Sequence, residues 1–161
     1  QTPGNGPRRM ILQPVVAQYG GRIHDSLADP LAPQVYAVTH EMRRAKDADE
    51  VALLKTCMKA TDAGHAWARA HVVPGMTELE VYAGIAGAVY AALGRWAVLY
   101  GDFTVSTGST KRGGVPTMHV LAAGETLILD YSVVVGGYRS DFTNTLVVGG
   151  KPTAEQQNVY G

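Results

Sequence analysis

Two aspartates, Asp130 and Asp141, stand in neighbouring runs of β-branched residues and are the strongest candidates for chemistry in this sequence. The runs cover 126–135 and 138–148, and the pair Gly136-Gly137 joins them. A Gly-Gly pair between two such runs favours a two-residue hairpin turn. The pattern therefore predicts an antiparallel hairpin with one aspartate on each strand.

A turn at the glycine pair fixes which residues face each other in this hairpin. Asp130 then faces Thr143, Ser132 faces Asp141, and all four side chains share one face. The Cα atoms of the two aspartates should lie roughly 7–8 Å apart. Two carboxylates this close repel each other and are costly to desolvate, whereas one or two divalent cations such as Mn²⁺ or Mg²⁺ would compensate.

The alternative is a solvated strand face, on which both aspartates are ordinary polar residues. Ser132 and Thr143 would then be polar neighbours without a special role. A register shift of one residue would also separate the two aspartates. From the residues alone, both interpretations stay open.

Two helices are predicted ahead of the strands, and they must position this hairpin. The first has a capping box at Asp47 and ends before Pro74-Gly75. The second has a capping box at Thr77 and is stopped by Gly94. Helices followed by strands indicate an α+β fold, with two helices packed on a curved antiparallel sheet. Histidines 65 and 71 fall on the first helix and are interpreted as packing or surface residues.

The remaining segments are less regular. A short strand is predicted over 10–17, a connector over 24–42 and an alternating strand over 103–107. Thr153 can cap a further helix, which has run for only one or two turns at Gly161. We therefore expect the sequence to stop inside a domain.

Composition excludes several classes of function. Lys plus Arg number 14 and Asp plus Glu number 14, so there is no basic excess for nucleic acid. No apolar run approaches the roughly 18 residues that are needed to span a bilayer. The single cysteine, Cys57, cannot form an intrachain disulfide and is interpreted as a small buried hydrophobe. These features favour a cytoplasmic protein with no nucleic-acid or membrane partner.

From about residue 43 to 160 the sequence resembles the pita-bread metallopeptidases, a family that includes methionine aminopeptidase, aminopeptidase P, prolidase and creatinase. Several motifs occur in the family's order: 43–50, 74–78, 121–129, Asp130-Tyr131-Ser132, 137–145 and 149–152. The resemblance implies a pita-bread fold of which only the first half is present. It also implies that 1–42 is a connector and the tail of a missing N-terminal domain, and that 43–161 is the N-terminal half of the catalytic domain.

The resemblance further implies two divalent metal ions, with manganese preferred and cobalt, zinc or iron as alternatives. The family's ligands are two Asp, one His and two Glu; Asp130 and Asp141 match the two Asp. The other ligands would follow the last residue of this sequence. Thr143 is predicted to orient one of the carboxylates, because it shares their face. The family's upstream histidine falls near Gly113, so His119 is the nearest candidate for a catalytic histidine.

The separate segment before residue 43 resembles the creatinase, prolidase and aminopeptidase P branch. The expected function is that of a fragment of a dinuclear Xaa-Pro peptidase, which hydrolyses the bond before proline in a peptide substrate. The fragment alone is expected to be inactive, and the full-length protein is a candidate homodimer. The alternatives are a non-catalytic pita-bread domain that binds peptide or protein, and a creatinase-like amidinohydrolase without metals.

Overall fold

The computed structural model describes residues 30–106 and 113–160. The chain divides into two compact units, Gln1–Lys46 and Asp47–Gly161. The assignment of residues 1–42 to a missing domain stays a prediction.

The first unit contains one described helix, α1 (Ala32–Arg44), none of whose residues is buried. The sequence predicted a connector over 24–42, so this helix was missed. Pro33 lies in its first turn, where the absent N–H of proline is tolerated. The strand predicted over 10–17 lies outside the described residues.

The second unit contains the two predicted helices, α2 (Ala48–His71) and α3 (Glu78–Leu93). Each begins with a capping box at the predicted residue, Asp47 or Thr77. Gly94 ends α3 in the left-handed conformation, with φ of 66°. The predicted helix starts and the stop at Gly94 are therefore confirmed.

Four antiparallel strands follow the helices: β1 (Val98–Ser106), β2 (Thr126–Val135), β3 (Tyr138–Arg139) and β4 (Phe142–Val147). β2 is central, with β1 on one side and both β3 and β4 on the other. The turn at Gly136-Gly137 and the pairing of Asp130 with Thr143 are as predicted. The strand predicted over 103–107 is longer than expected, since β1 already begins at Val98.

The two faces of this sheet differ in character. One face packs on α2 and α3 and carries buried apolar side chains: Leu99, Phe103, Val105, Leu127, Leu129, Tyr131 and Val133. The alternate residues of β1, β2 and β4 point the other way. We call that second face, which carries Asp102, Asp130 and Thr143, the polar face.

A short helix, α4 (Ala154–Tyr160), begins at the predicted cap, where the backbone N–H of Gln156 donates to Thr153 Oγ1 at 3.2 Å. Among the described helices, none combines the length and the apolar character that a bilayer span requires.

Candidate metal site

Asp130 occupies the middle of the polar face. It is half-buried on the central strand and pairs with Thr143 of β4 on one side. On the other side it pairs with Asp102 of β1, so two carboxylates stand directly opposite each other. Thr143 therefore lies where the hairpin register placed it, while its role in orienting a carboxylate stays a prediction.

Asp141 lies at a break between β3 and β4. The backbone N–H of Val133 donates to Ser140 Oγ at 2.9 Å, so a side-chain hydroxyl replaces the usual backbone carbonyl of the ladder. The Ser140 N–H still donates to Val133 O at 3.1 Å. Thr61 of α2 anchors the Ser140 hydroxyl from below, with 2.6 Å between the oxygens. The register is the same before and after the break, so Asp141 remains opposite Ser132.

An ion pair holds Asp141 at the polar face. Arg139 Nη2 donates to Asp141 Oδ2 at 3.3 Å, and Arg139 Nη1 donates to Tyr100 Oη at 2.7 Å. The hydrogen bond to Tyr100, followed by the charges of Tyr100 and Asp141, raises the pKa of Arg139. Tyr100 is two residues before Asp102 on the same strand face. Both predicted metal ligands therefore lie on one face, as the hairpin register requires.

Asp102 was missed by the sequence analysis, because the predicted strand began at residue 103. Within the described residues, neither the Asp102 carboxylate nor the Asp130 carboxylate has a hydrogen-bond or ion-pair partner. Like charges directly opposite each other on paired strands are destabilising. Gly113 lies beside this pair, since a Cβ atom there would stand 2.8 Å from Asp102 Oδ2. Alternation extended back from Phe103 would have put Asp102 on the other face of β1 from that apolar residue, but it does not specify the pairing with Asp130.

His119 lies in a different part of the unit. Its Nε2 atom is 3.0 Å from Glu125 Oε2, just before β2 begins. Glu125 is five residues from Asp130, which corresponds to roughly 16 Å along an extended strand. The structure therefore pairs His119 with a carboxylate at the far end of β2 and does not bring it to the aspartates. Its catalytic role stays a prediction.

The donor set fits part of a metal site. Carboxylate oxygens are the ligands that hard divalent cations prefer, and the opposed pair would gain from a cation between or beside it. Across residues 30–106 and 113–160, no three His, Cys, Asp or Glu side chains converge closely enough to hold an ion. These residues therefore supply some ligands, and a complete coordination sphere would need others.

Three residues of α2 have reactive side chains: His65, Cys57 and His71. Each has the buried or surface position that the sequence analysis predicted. His71 is exposed, with Nδ1 2.8 Å from Trp67 O. Cys57 is fully buried, and its Sγ donates to Tyr138 O at 3.3 Å. His65 is buried in the core, with only 2% of its surface exposed.

Glu78 is a buried carboxylate that sequence reasoning took for a helix-start residue only. Its Oε1 accepts the Val105 N–H at 2.8 Å, and its Oε2 accepts the N–H and hydroxyl of Thr117 at 2.9 and 2.6 Å. Phe103 N–H also donates to Gly114 O at 3.1 Å. These bonds fasten the segment that contains Gly113 to the end of β1, beside Asp102.

The comparison with known families shows to which family the chain belongs. The profile of metallopeptidase family M24 matches residues 52–161, more than half of the sequence. The chain belongs to this family. The resemblance inferred from the hairpin motifs is thereby confirmed.

Individual relatives agree with this assignment. The "Xaa-Pro aminopeptidase" of Escherichia coli (strain K12) is 28% identical over 129 residues, which cover 76% of this chain and 28% of that protein. The structure of "Xaa-Pro dipeptidase from Bacillus anthracis" is 26% identical, with a TM-score of 0.65, and the match covers 77% of this chain and 35% of that one.

The X-Pro aminopeptidase of Thermotoga maritima MSB8 shows the fold at lower identity. It has a TM-score of 0.69 at 17% identity, and the match covers 94% of this M24 chain and 40% of that chain. The α+β architecture is therefore part of the pita-bread fold, as predicted. The matched region is 28% to 40% of the length of these three relatives.

Proposed function

We propose that this M24 chain is the part of a metal-dependent peptidase that contributes Asp130 and Asp141 as metal ligands. The observation that carries the proposal is the placement of both aspartates on one face of the hairpin, with Asp130 directly opposite Asp102. Within the described residues, the Asp130 carboxylate has no hydrogen-bond or ion-pair partner. Such a face is electrostatically unfavourable without a cation. Membership in a metallopeptidase family supplies the reason for that cation.

We further propose two divalent ions, manganese above cobalt, zinc or iron. When bound, such ions lower the pKa of a water molecule and polarise the scissile carbonyl. Asp130 and Asp141 would each supply carboxylate oxygens from adjacent strands. Thr143, opposite Asp130, would orient that carboxylate. Arg139 keeps Asp141 on the polar face and would have to share or release it when a metal binds.

The proposed substrate is a peptide with proline after the scissile bond. Support comes from the relatives, whose names specify Xaa-Pro aminopeptidase and Xaa-Pro dipeptidase activity. Among the described residues, no side chain of the polar face identifies proline. The substrate class is thus a proposal taken from the relatives, whereas the metal-ligand assignment also has support in the geometry.

The test uses a protein that contains this chain together with the rest of the pita-bread domain. Xaa-Pro hydrolysis should require Mn²⁺, and chelator should abolish it. Asp130→Asn and Asp141→Asn should each lose most of the activity while keeping the fold, because the amide lacks the charge that holds the cation. Glu155→Gln, an exposed substitution on α4, is the control and should retain activity. Near-wild-type turnover by either Asn variant would refute the ligand assignment.

The 161-residue chain alone should bind Mn²⁺ weakly and leave Xaa-Pro peptides intact, since it supplies only some of the expected ligands. Chelator-sensitive hydrolysis by the purified chain would contradict this. Peptide binding without turnover in the longer protein would favour the non-catalytic alternative. Turnover that chelator leaves unchanged would favour a creatinase-like reaction.

A further inference from the structure

Glu78 is a buried carboxylate that is not one of the proposed metal ligands. It is the first residue of α3, and 0% of its surface is exposed. An ionised carboxylate is costly to bury unless hydrogen bonds compensate it. The dipole at a helix N-terminus also favours an acid, but it does so for an exposed acid as well. The contacts of the carboxylate must therefore explain why it is buried.

Both oxygens of this carboxylate accept hydrogen bonds from other parts of the chain. Oε1 accepts the Val105 N–H of β1 at 2.8 Å, and Oε2 accepts the N–H and the hydroxyl of Thr117 at 2.9 and 2.6 Å. A carboxylate has an acceptor on each side, whereas the amide of glutamine has a donor on one side. A glutamine here would leave Val105 or Thr117 facing an NH₂ group, so an acidic side chain is required to join these two partners.

Glu78 and the chain after β1 also cover the outer edge of that strand. β1 is the outer strand of the described sheet, and the N–H groups on its outer side need other acceptors. The Phe103 N–H donates to Gly114 O at 3.1 Å, and two residues later the Val105 N–H donates to Glu78. A backbone carbonyl and a side-chain carboxylate thus take the place of a partner strand.

Residues 113–121, which we call the edge segment, are also bound by the first turn of α3. The Glu78 N–H donates to His119 O and the Leu79 N–H donates to Thr117 O, both at 3.1 Å. The side chain of Glu78 accepts from the edge segment while its backbone donates to it. One residue therefore holds this segment through two kinds of contact.

The edge segment begins beside the polar face. A Cβ atom on Gly113 would stand 2.8 Å from Asp102 Oδ2 and 3.4 Å from Asp102 Cγ. The backbone at Gly113 therefore limits where the Asp102 carboxylate can lie. Because Asp102 is directly opposite Asp130, the position of the edge segment affects the separation of these two carboxylates.

We propose that Glu78 is a positioning residue, which holds the edge segment against β1 and thereby fixes the Asp102 carboxylate relative to Asp130. The consequence for metal binding rests on the proposed function, because it assumes a cation at Asp130. The hold on the edge segment does not, and it can be measured without metal.

The first measurement is hydrogen exchange by mass spectrometry, in the metal-free protein that contains this chain together with the rest of the pita-bread domain. Glu78→Gln should speed exchange in peptides from 113–121 about fivefold or more and leave peptides from β2 nearly unchanged. Glu80→Gln is the matched control and should not affect the edge segment, because its exposed carboxylate accepts from Thr77 in the same helical turn. Thr117→Val removes one donor to Glu78 and should give a smaller increase in the same peptides, so it replaces Glu78→Gln if that variant does not fold.

The second measurement tests the link to the carboxylates. Gly113 is not in the left-handed conformation, and the atom nearest to an added Cβ is the end of the Asp102 side chain. Gly113→Ala should therefore displace that carboxylate without unfolding the domain. It should weaken Mn²⁺ binding about threefold or more in titration calorimetry, but hardly at all in the Glu78→Gln or Thr117→Val background, where the edge segment can move instead.

Two results would overturn the inference. One is equal exchange of the edge segment in Glu78→Gln and Glu80→Gln. The other is additive effects of Gly113→Ala and Glu78→Gln on the Kd for Mn²⁺, which would confine Glu78 to a role in stability. Faster exchange of the edge segment, together with no Mn²⁺ binding in wild type, would confirm that Glu78 holds this segment and refute the metal assignment.

Discussion

Replacing Asp130 by Asn should make the metal-free protein more stable than metal-free wild type. When metal is present, the variant should instead be less stable than wild type. Asp130 and Asp102 face each other directly across β1 and β2, without partners in the described residues. Like-charged pairs at such positions cost about 0.2–1 kcal/mol. For a domain of this size, relief of up to about 1 kcal/mol corresponds to a rise in Tm of roughly 1–5 °C.

Metal should reverse the order of thermal stability, so that wild type becomes more stable than Asp130→Asn. At a free Mn²⁺ concentration about 100 times its Kd, a ligand that binds only the folded state adds about 2.7 kcal/mol. Wild type should gain this stability and Asp130→Asn should gain little of it. The assay is thermal denaturation of both proteins, in chelator and over a Mn²⁺ titration.

Two further variants test whether repulsion between Asp102 and Asp130 explains the metal-free gain in stability. Asp102→Asn should give the same metal-free gain as Asp130→Asn, and the double variant should gain little more, because one repulsive pair is removed in each case. Asp141→Asn should give no gain, since it removes the exposed ion pair with Arg139 rather than a repulsion. A lower metal-free Tm for Asp130→Asn, or equal stabilisation of both proteins by Mn²⁺, would refute this reasoning.

Three other substitutions probe how the sheet is held. Burial lowers the pKa of His65 below its ordinary 6.5, so the unfolded chain takes up a proton first as pH falls. Wild type should therefore lose stability relative to His65→Phe below about pH 6.5 in urea denaturation; a difference independent of pH contradicts this. Gly64→Ala should cost about 1–3 kcal/mol, because its Cβ displaces the Tyr131 hydroxyl; an unchanged urea midpoint would show that the helix can shift freely. Glu78→Gln should cost about 2–3 kcal/mol through its buried hydrogen bonds. Glu80→Gln, the control at the exposed capping carboxylate that accepts the Thr77 N–H, should lower the urea midpoint less; similar losses would contradict the assigned role of Glu78.

The hairpin could be predicted from the sequence because its signals are local. A Gly-Gly turn and strand alternation fix the pairing of Asp130 with Thr143, and both features are read within about twenty residues. The helix caps at Asp47 and Thr77 are likewise set by side chains three residues apart. Local rules of this kind identify elements and register, and they placed both candidate ligands on one face.

Long-range contacts could not be predicted in this way. Asp102 is 28 positions before Asp130, and nothing in either strand alone specifies that β1 pairs with β2 in that register. Glu78 looked like an ordinary first-turn acid until the structure buried it against β1 and the segment after it. Helix α1 was missed for another reason, since two prolines obscured a helix that buries no residue.

Side chains alternate between the two faces of these strands. The residues that form the core and the residues proposed to bind metal therefore lie on opposite faces but are neighbours in sequence. Substitutions on the polar face remove charge without opening the core, so ligand variants should fold. Each ligand position is nevertheless adjacent to a core residue, Tyr131 after Asp130 and Phe142 after Asp141. Because those two aromatic residues contact α2 through His65, a change in the helix can alter the distance between the carboxylates without touching either one. The precision of the proposed metal site therefore depends on the packing beneath it, as a site built on paired strands rather than on loops requires.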